Sequence, residues 1–320
     1  MGMNQNITSN FVNEMKKTQI DSLYALKAIC AFFVVALHTP CFYKEFLIEL
    51  FSIAVPCFYM ITGYFLYVGN EYAEMRKARK WLSKVIIISL FFNFIYLMAY
   101  LITGRLVWDA SIVLNLFIFG DSISAHFWYL TALCQALAIF MIFRKYEKLF
   151  YFCLLLFLWD PIVYFIVLNN DIAQIPGWVH KNCFARALPY LCAGYLISKN
   201  KDRIPGVSYF LIGAIAAFTL MKATEYKFLM LQSVLSVCLF LAALKYDRCV
   251  PKFLTWTGKY HSANIYYIHM LVAPFVYLLT PNNLKFMLGK GVAIYAFVLS
   301  LIVSMVMNVG IGLSKKYIHM

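Results

Sequence analysis

From Val85 to Thr103 the chain runs 19 residues without one charged side chain. A helix of that length rises about 28 Å, close to the ~30 Å of hydrocarbon in a bilayer. Comparable apolar stretches recur near 21–43, 47–68, 126–143, 149–168, 184–198, 206–222, 228–244, 262–280 and 291–313. Composition says where such helices can live. Of the 320 residues 63% are apolar and 13% charged, against about half and a quarter in soluble domains. The chain has too few polar groups to cover its surface in water, whereas lipid solvates an apolar exterior. The expected fold is therefore an all-α, polytopic membrane bundle of about ten transmembrane helices. The expected organisation is a polar cytoplasmic tail over 1–20, a membrane domain over 21–313 and a second tail over 314–320. Pro56, Gly63, Pro161, Pro189, Gly194 and Pro274 punctuate these helices. Bundles tolerate that, because neighbouring helices satisfy freed backbone groups.

Orientation follows from the basic residues. With the N-terminus inside, 19 of the 28 Lys and Arg fall in the tails and in 69–84, 144–148, 199–204 and 245–261. That excess is what the positive-inside rule requires of cytoplasmic segments. An even number of spans then puts both termini in the cytoplasm. The net charge of +14 reads as attraction to anionic lipid, with no nucleic-acid partner expected. The polar first 19 residues lack a cleavage site, so no removable signal peptide is expected. The nine cysteines show no C-x-x-C spacing and read as small packing residues. Cys41 and Cys183 both face outward in this topology and are the one pair that could bridge.

Ionisable groups at membrane depth are costly, so each is a functional candidate or a packed pair. The first helix carries two, Lys27 and His38. Eleven residues are three turns plus roughly 20°, so the two share a face about 16 Å apart along the axis. Lys27 lies toward the cytoplasm and His38 toward the outer side. One reading is structural: Lys27 snorkels to anchor the helix and His38 is a hydrogen-bonded bundle histidine. The other is chemical. A cytoplasmic anionic donor such as acyl-coenzyme A would leave its phosphates at the cation and thread its arm inward to the imidazole. Histidine is the side chain suited to take a proton from an attacking hydroxyl near neutral pH.

Six segments in chain order bear on that choice. They are the basic-x10-His pattern from Lys27 to His38; AVPCFYMITGYFL at 54–66; the basic run Arg76, Lys77, Arg79, Lys80, read as a loop before the third helix; HFWYL at 126–130; the Arg186–Gly194 segment; and TGKYHSANIYYIH at 257–269. Together they resemble the acyltransferase type 3 family of bacterial membrane O-acyltransferases. The family usually has Arg where this chain has Lys27, Ser where it has Thr62, and an acid where it has Tyr24. A lysine makes a point contact with phosphate where a guanidinium makes two.

The resemblance implies transfer of an acyl group, most commonly acetyl, from cytoplasmic acyl-CoA (acetyl-CoA) to a hydroxyl of a cell-envelope glycan or lipid-linked sugar. The protein would then sit in the bacterial inner membrane. His38 would be the catalytic base, with His269 as the second catalytic histidine. Lys27, Arg76, Arg79 and Lys80 would hold the donor, and His126, Trp128, Arg186 and Tyr266 the acceptor. Each has a plainer reading: the basic run as a membrane anchor, HFWYL as aromatic belt, Arg186 as a helix-end charge, His269 as a packed histidine. No metal is expected, since no cluster has ligand spacing. With few residues after the last apolar stretch, direct transfer in the membrane domain is expected. The alternative is a transporter or flippase for a small polar or lipid-linked substrate, which has similar broken helices and buried polar groups.

Overall fold

In a computed structural model the described residues are 2–104, 125–169, 182–223, 229–246, 249–279 and 291–318. All regular structure among them is helical. The helices are α1 Gly2–His38, α2 Lys44–Ser52, α3 Ala54–Leu66, α4 Glu71–Ile102, α5 Trp128–Phe143, α6 Leu149–Cys153 and α7 Trp159–Asn169. They continue with α8 Leu188–Lys199, α9 Val207–Ala223, α10 Leu229–Leu244, α11 Lys252–Tyr260, α12 Ser262–Leu279 and α13 Val292–Ile318. A 3-10 turn, Ala125–Phe127, leads into α5, and a π turn, Cys183–Ala187, leads into α8. Four stretches are long and apolar enough to cross a membrane: Ile20–His38, Lys44–Leu66, Glu71–Ile102 and Val292–Val309. Shorter apolar helices cover Val207–Ala223 and Met230–Leu244.

The expected helices 47–68 and 149–168 are each broken, at Ile53 and over Leu154–Leu158, and a helix forms at Lys252–Tyr260 inside a segment expected to connect spans. Two helix starts differ as well. The first helix starts at Gly2 rather than near residue 21, since no Gly or Pro interrupts the chain from Met3 to Ile20. The basic run at 76–80 is not a loop but part of the 32-residue α4. Asn70 caps that helix, its Oδ1 accepting from the Ala73 N–H at 3.0 Å. Glu71 and Glu74 in the first turn suit the helix dipole. All nine cysteines are free thiols, so Cys41 and Cys183 form no bridge.

The chain divides into two compact units. The first comprises residues 1–57, 206–223 and 234–320. In it α1 packs against α2, α11, α12 and α13. Gly258 lets α11 lie directly on the α1 backbone: a Cβ there would sit 1.7 Å from the Tyr24 carbonyl oxygen. One end of the α12–α13 pair holds a closed polar network. His261 Nδ1 meets Ser304 Oγ at 2.9 Å, and the Asn264 amide donates to Ser304 Oγ and to Asn308 Oδ1. Asn308 in turn donates to the Tyr260 carbonyl. At the other end the Ala293 N–H donates to the Pro40 carbonyl and Lys222 pairs with Glu49.

The second unit comprises residues 58–205 and 224–233. Here α5 packs on α4 and on the π turn, and α8 packs on α6. Gly63 and Gly194 bring α3 and α8 into backbone contact. A Cβ on Gly63 would stand 1.9 Å from the Leu191 oxygen, and one on Gly194 2.0 Å from the Met60 oxygen. Small residues at such a crossing give van der Waals contact that lipid cannot supply. Below the crossing lies Glu74, 0% exposed. Its Oε1 accepts from the Val68 and Gly69 N–H groups, and its Oε2 from Arg144 Nε and the Tyr195 hydroxyl. Burial alone would lower the Arg144 pKa, but the Glu74 hydrogen bond and the surrounding anions outweigh it and raise it. Glu147 bridges Arg144 to Lys199. In this unit the inside segments 69–84, 144–148 and 199–204 meet through the Glu74–Arg144 and Glu147–Lys199 pairs.

Candidate functional site

The predicted site residues fall into a group in each unit. In the first, α1 ends on His38, an exposed residue, and carries Lys27, half-buried, three turns earlier. His269, in the middle of α12 and 0% exposed, brings its ring centroid to 5.3 Å from that of His38, at 41°. Residues 231 positions apart thus form one imidazole pair. His269 Nδ1 lies 2.7 Å from the Tyr266 carbonyl oxygen. A carbonyl only accepts, so Nδ1 carries the proton and Nε2 is the basic nitrogen. Tyr266 acts on this pair through its backbone, with its buried ring 6.1 Å from His269.

A residue outside the sequence reading fixes the His38 end. Lys44 Nζ donates to the Leu37 carbonyl at 2.7 Å and the Thr39 carbonyl at 3.1 Å. Thr39 Oγ1 donates to Val35. The last turn of a helix leaves its carbonyls without intrahelical partners, and a cation there also meets the negative end of the dipole. The signal was present in sequence: a lysine six positions beyond a helix that ends on its catalytic candidate.

In the second unit, Arg76, Arg79 and Lys80 are exposed at i, i+3 and i+4 of α4, so they share one face. Lys77 between them is otherwise engaged, donating to the Phe65 carbonyl and lying 5.1 Å from the Trp81 ring centroid. His126, 3% exposed, packs its ring 5.1 Å from that of Tyr96. Trp128 begins α5 half-buried. Arg186 is half-buried in the π turn, whose start is capped by Asn182 accepting from the Ala185 N–H. Single-turn π segments concentrate at functional sites. A surface groove of about 540 Å³ is lined by Lys145, Tyr146, Glu147, Lys148, Leu149, Tyr151 and Lys199 and includes no predicted site residue. Among the described residues no group of three or more His, Cys, Asp and Glu could hold a metal.

Chemically, the first group offers a base with a second imidazole against it, and a cation about 16 Å away along one helix. The second offers a cationic face and, apart from it, a buried cluster of hydrogen-bonding side chains.

An amino-acid racemase of Enterococcus faecalis is 30% identical over 128 residues, 36% of this chain. The match spans 18% of that racemase's length. No solved structure matches. The pattern of the acyltransferase domain family matches residues 20–311, nearly the whole chain and every segment singled out above. The chain belongs to the acyltransferase type 3 family.

Proposed function

We propose that this protein is an O-acyltransferase of the bacterial inner membrane. It moves an acyl group, acetyl by preference, from cytoplasmic acyl-CoA to a hydroxyl of an envelope glycan or lipid-linked sugar. The membrane domain is residues 21–313, with ten spans and both termini cytoplasmic. The meeting of the basic segments 69–84, 144–148 and 199–204 within the second unit supports that topology. The observation that carries the reading is the His38–His269 pair at 5.3 Å, on the helix that also bears Lys27.

In the proposed step Lys27 is the cation for the donor's phosphates; the Arg76, Arg79 and Lys80 face is a further donor-binding candidate within the second unit. The thioester reaches the imidazole pair. His38 takes the proton from the acceptor hydroxyl as its oxygen forms the new bond to the thioester carbonyl. The C–S bond then breaks, and the imidazolium returns the proton to the departing thiolate, giving ester and free coenzyme A. His269, oriented by the Tyr266 carbonyl, holds His38 in position. His126, Trp128 and Arg186 in the second unit, and Tyr266 in the first, are the acceptor-binding candidates. No step needs a metal.

The test is acetyl-CoA turnover by purified protein in nanodiscs, with an envelope glycan extract as acceptor. His38→Ala is expected to lose transfer by about 10²–10⁴-fold, the usual range for general acid–base groups. Lys27→Ala is expected to raise the donor KM. Wild-type protein that folds, binds no acetyl-CoA and turns none over removes this donor and leaves substrate translocation as the reading.

A further inference from the structure

Within the apolar length of α4, 85–102, the buried residues are Phe92, Asn93 and Tyr96. Two of the three are polar, on a helix that otherwise turns large apolar side chains outward, among them Ile87, Leu90, Phe91 and Phe94. Asn93 is 6% exposed and Tyr96 1%. They sit at i and i+3, on one face, which packs on α5. His126, at the entry to α5, closes on the Tyr96 ring.

The Asn93 amide is half used. Its Nδ2 donates to the Ser89 carbonyl at 2.8 Å and reaches Ser89 Oγ at 3.3 Å. The opposite orientation would set two oxygens 2.8 Å apart, so the contact fixes which atom is oxygen. Oδ1 is fully buried and accepts no hydrogen bond from any of the described residues. Buried Thr257 and Ser300 also have hydroxyls without a partner among the described residues, but a hydroxyl can rotate onto the carbonyl one turn back. An amide oxygen has no such recourse. It needs a donor, and helical N–H groups are already spent on their own carbonyls. An open acceptor in a lipid-embedded bundle costs about 1–3 kcal/mol, which leucine would avoid.

We infer that Asn93 is an acceptor-binding residue: its Oδ1 receives a hydrogen bond from a hydroxyl of a sugar or polyol seated between α4 and α5, next to Tyr96 and His126. This rests on the acyl-transfer reading and its orientation, which puts residue 93 in the outer half of α4, about 14 Å from its end at Ile102. A hydroxyl is the right class of ligand. It supplies the missing donor without bringing charge into the membrane, and its own oxygen can then accept from a neighbour.

The experiment compares wild type, Asn93→Leu and Asn93→Ser in nanodiscs, with acetyl-CoA as donor and envelope glycan extract as acceptor, and with thermal unfolding followed on the same samples. Asn93→Leu is expected to match or exceed wild-type Tm, since it removes the open acceptor, and to raise the acceptor KM by about 3- to 10-fold, the value of one neutral hydrogen bond. The donor KM stays unchanged. Asn93→Ser, which keeps a small acceptor, recovers part of the loss and decides the matter if the leucine variant does not fold. An unchanged acceptor KM in a folded variant overturns the assignment, whatever its Tm. Wild-type protein without turnover overturns the acyl-transfer reading instead, so the two failures are distinct.

Discussion

Glu74 and Asn93 lie on the same helix, in the same unit, and bury polar oxygens in opposite ways. The Glu74 carboxylate spends both oxygens on four donors, drawn from the turn after α3, from Arg144 and from α8. The Asn93 amide secures its nitrogen on Ser89 and leaves its oxygen open. A closed centre holds segments together and has nothing left for a ligand. An open one contributes little to the fold and has an atom to offer. Burial alone does not separate the two; the count of unmade bonds does.

Predictions test this contrast, starting with the largest effect. Glu74→Ala takes from the buried Arg144 guanidinium its closest anion, leaves it Glu147 at 3.8 Å, and is expected to cost about 3 kcal/mol in unfolding free energy. A loss below about 1 kcal/mol by chemical denaturation in detergent would dissolve the contrast. The double replacement Glu74→Leu with Arg144→Leu is expected to recover much of that loss, because well-packed apolar groups can replace an ion pair. Recovery would show the centre to be exchangeable, as a purely structural device is.

Gly194→Ala probes the neighbouring crossing. Its new Cβ meets the Met60 carbonyl, so α3 and α8 must separate, and about 1–3 kcal/mol is the expected cost. A neutral result would mean that the Glu74 centre alone sets the spacing there. Lys44→Met removes the cation from the end of α1. It is expected to cost about 0.3–1 kcal/mol and to lower kcat more than it raises either KM, because it loosens the backbone under His38. Steady-state kinetics beside a melting curve would separate the two effects.

The smallest effect concerns a closed centre that titrates. Burial lowers the His261 pKa from its ordinary 6.5, and its Nδ1 accepts from the Asn308 amide at 3.3 Å. Below about pH 6.5 the unfolded chain holds a proton that the folded chain refuses. Stability is therefore full above that pH and declines as the pH falls through the folded value. Melting curves between pH 7.5 and 5.5 should show the decline, and His261→Gln should flatten it.

Sequence reached the helices because hydrocarbon thickness and apolar run length are one measurement in two forms. It missed the helical character of 71–84. Charge there reads as loop, and only the Asn70 cap with the absence of any breaker says otherwise. It named His38 and His269 separately, through motifs 231 residues apart; that their rings meet is a tertiary fact without a local signature. Glu74 was invisible for a related reason. One acid among basic neighbours reads as a solvated charge until Arg144 and Tyr195 close over it. Asn93 was passed over because a single amide in a 19-residue apolar run looks like tolerated noise, and an unmade bond leaves no mark in sequence. Gly63 and Gly194 were noticed as punctuation, whereas their use is contact between backbones.

The Glu74 centre also imposes an order on biogenesis. Its partners lie 70 and 121 residues downstream. At about 5–20 residues per second of synthesis, the carboxylate waits roughly 4–14 s for Arg144. During that interval the nascent α3–α4 hairpin can use only its own backbone N–H groups to hold the anion. A chain that ends before Arg144 therefore leaves the Glu74 carboxylate with two of its four donors, Val68 and Gly69.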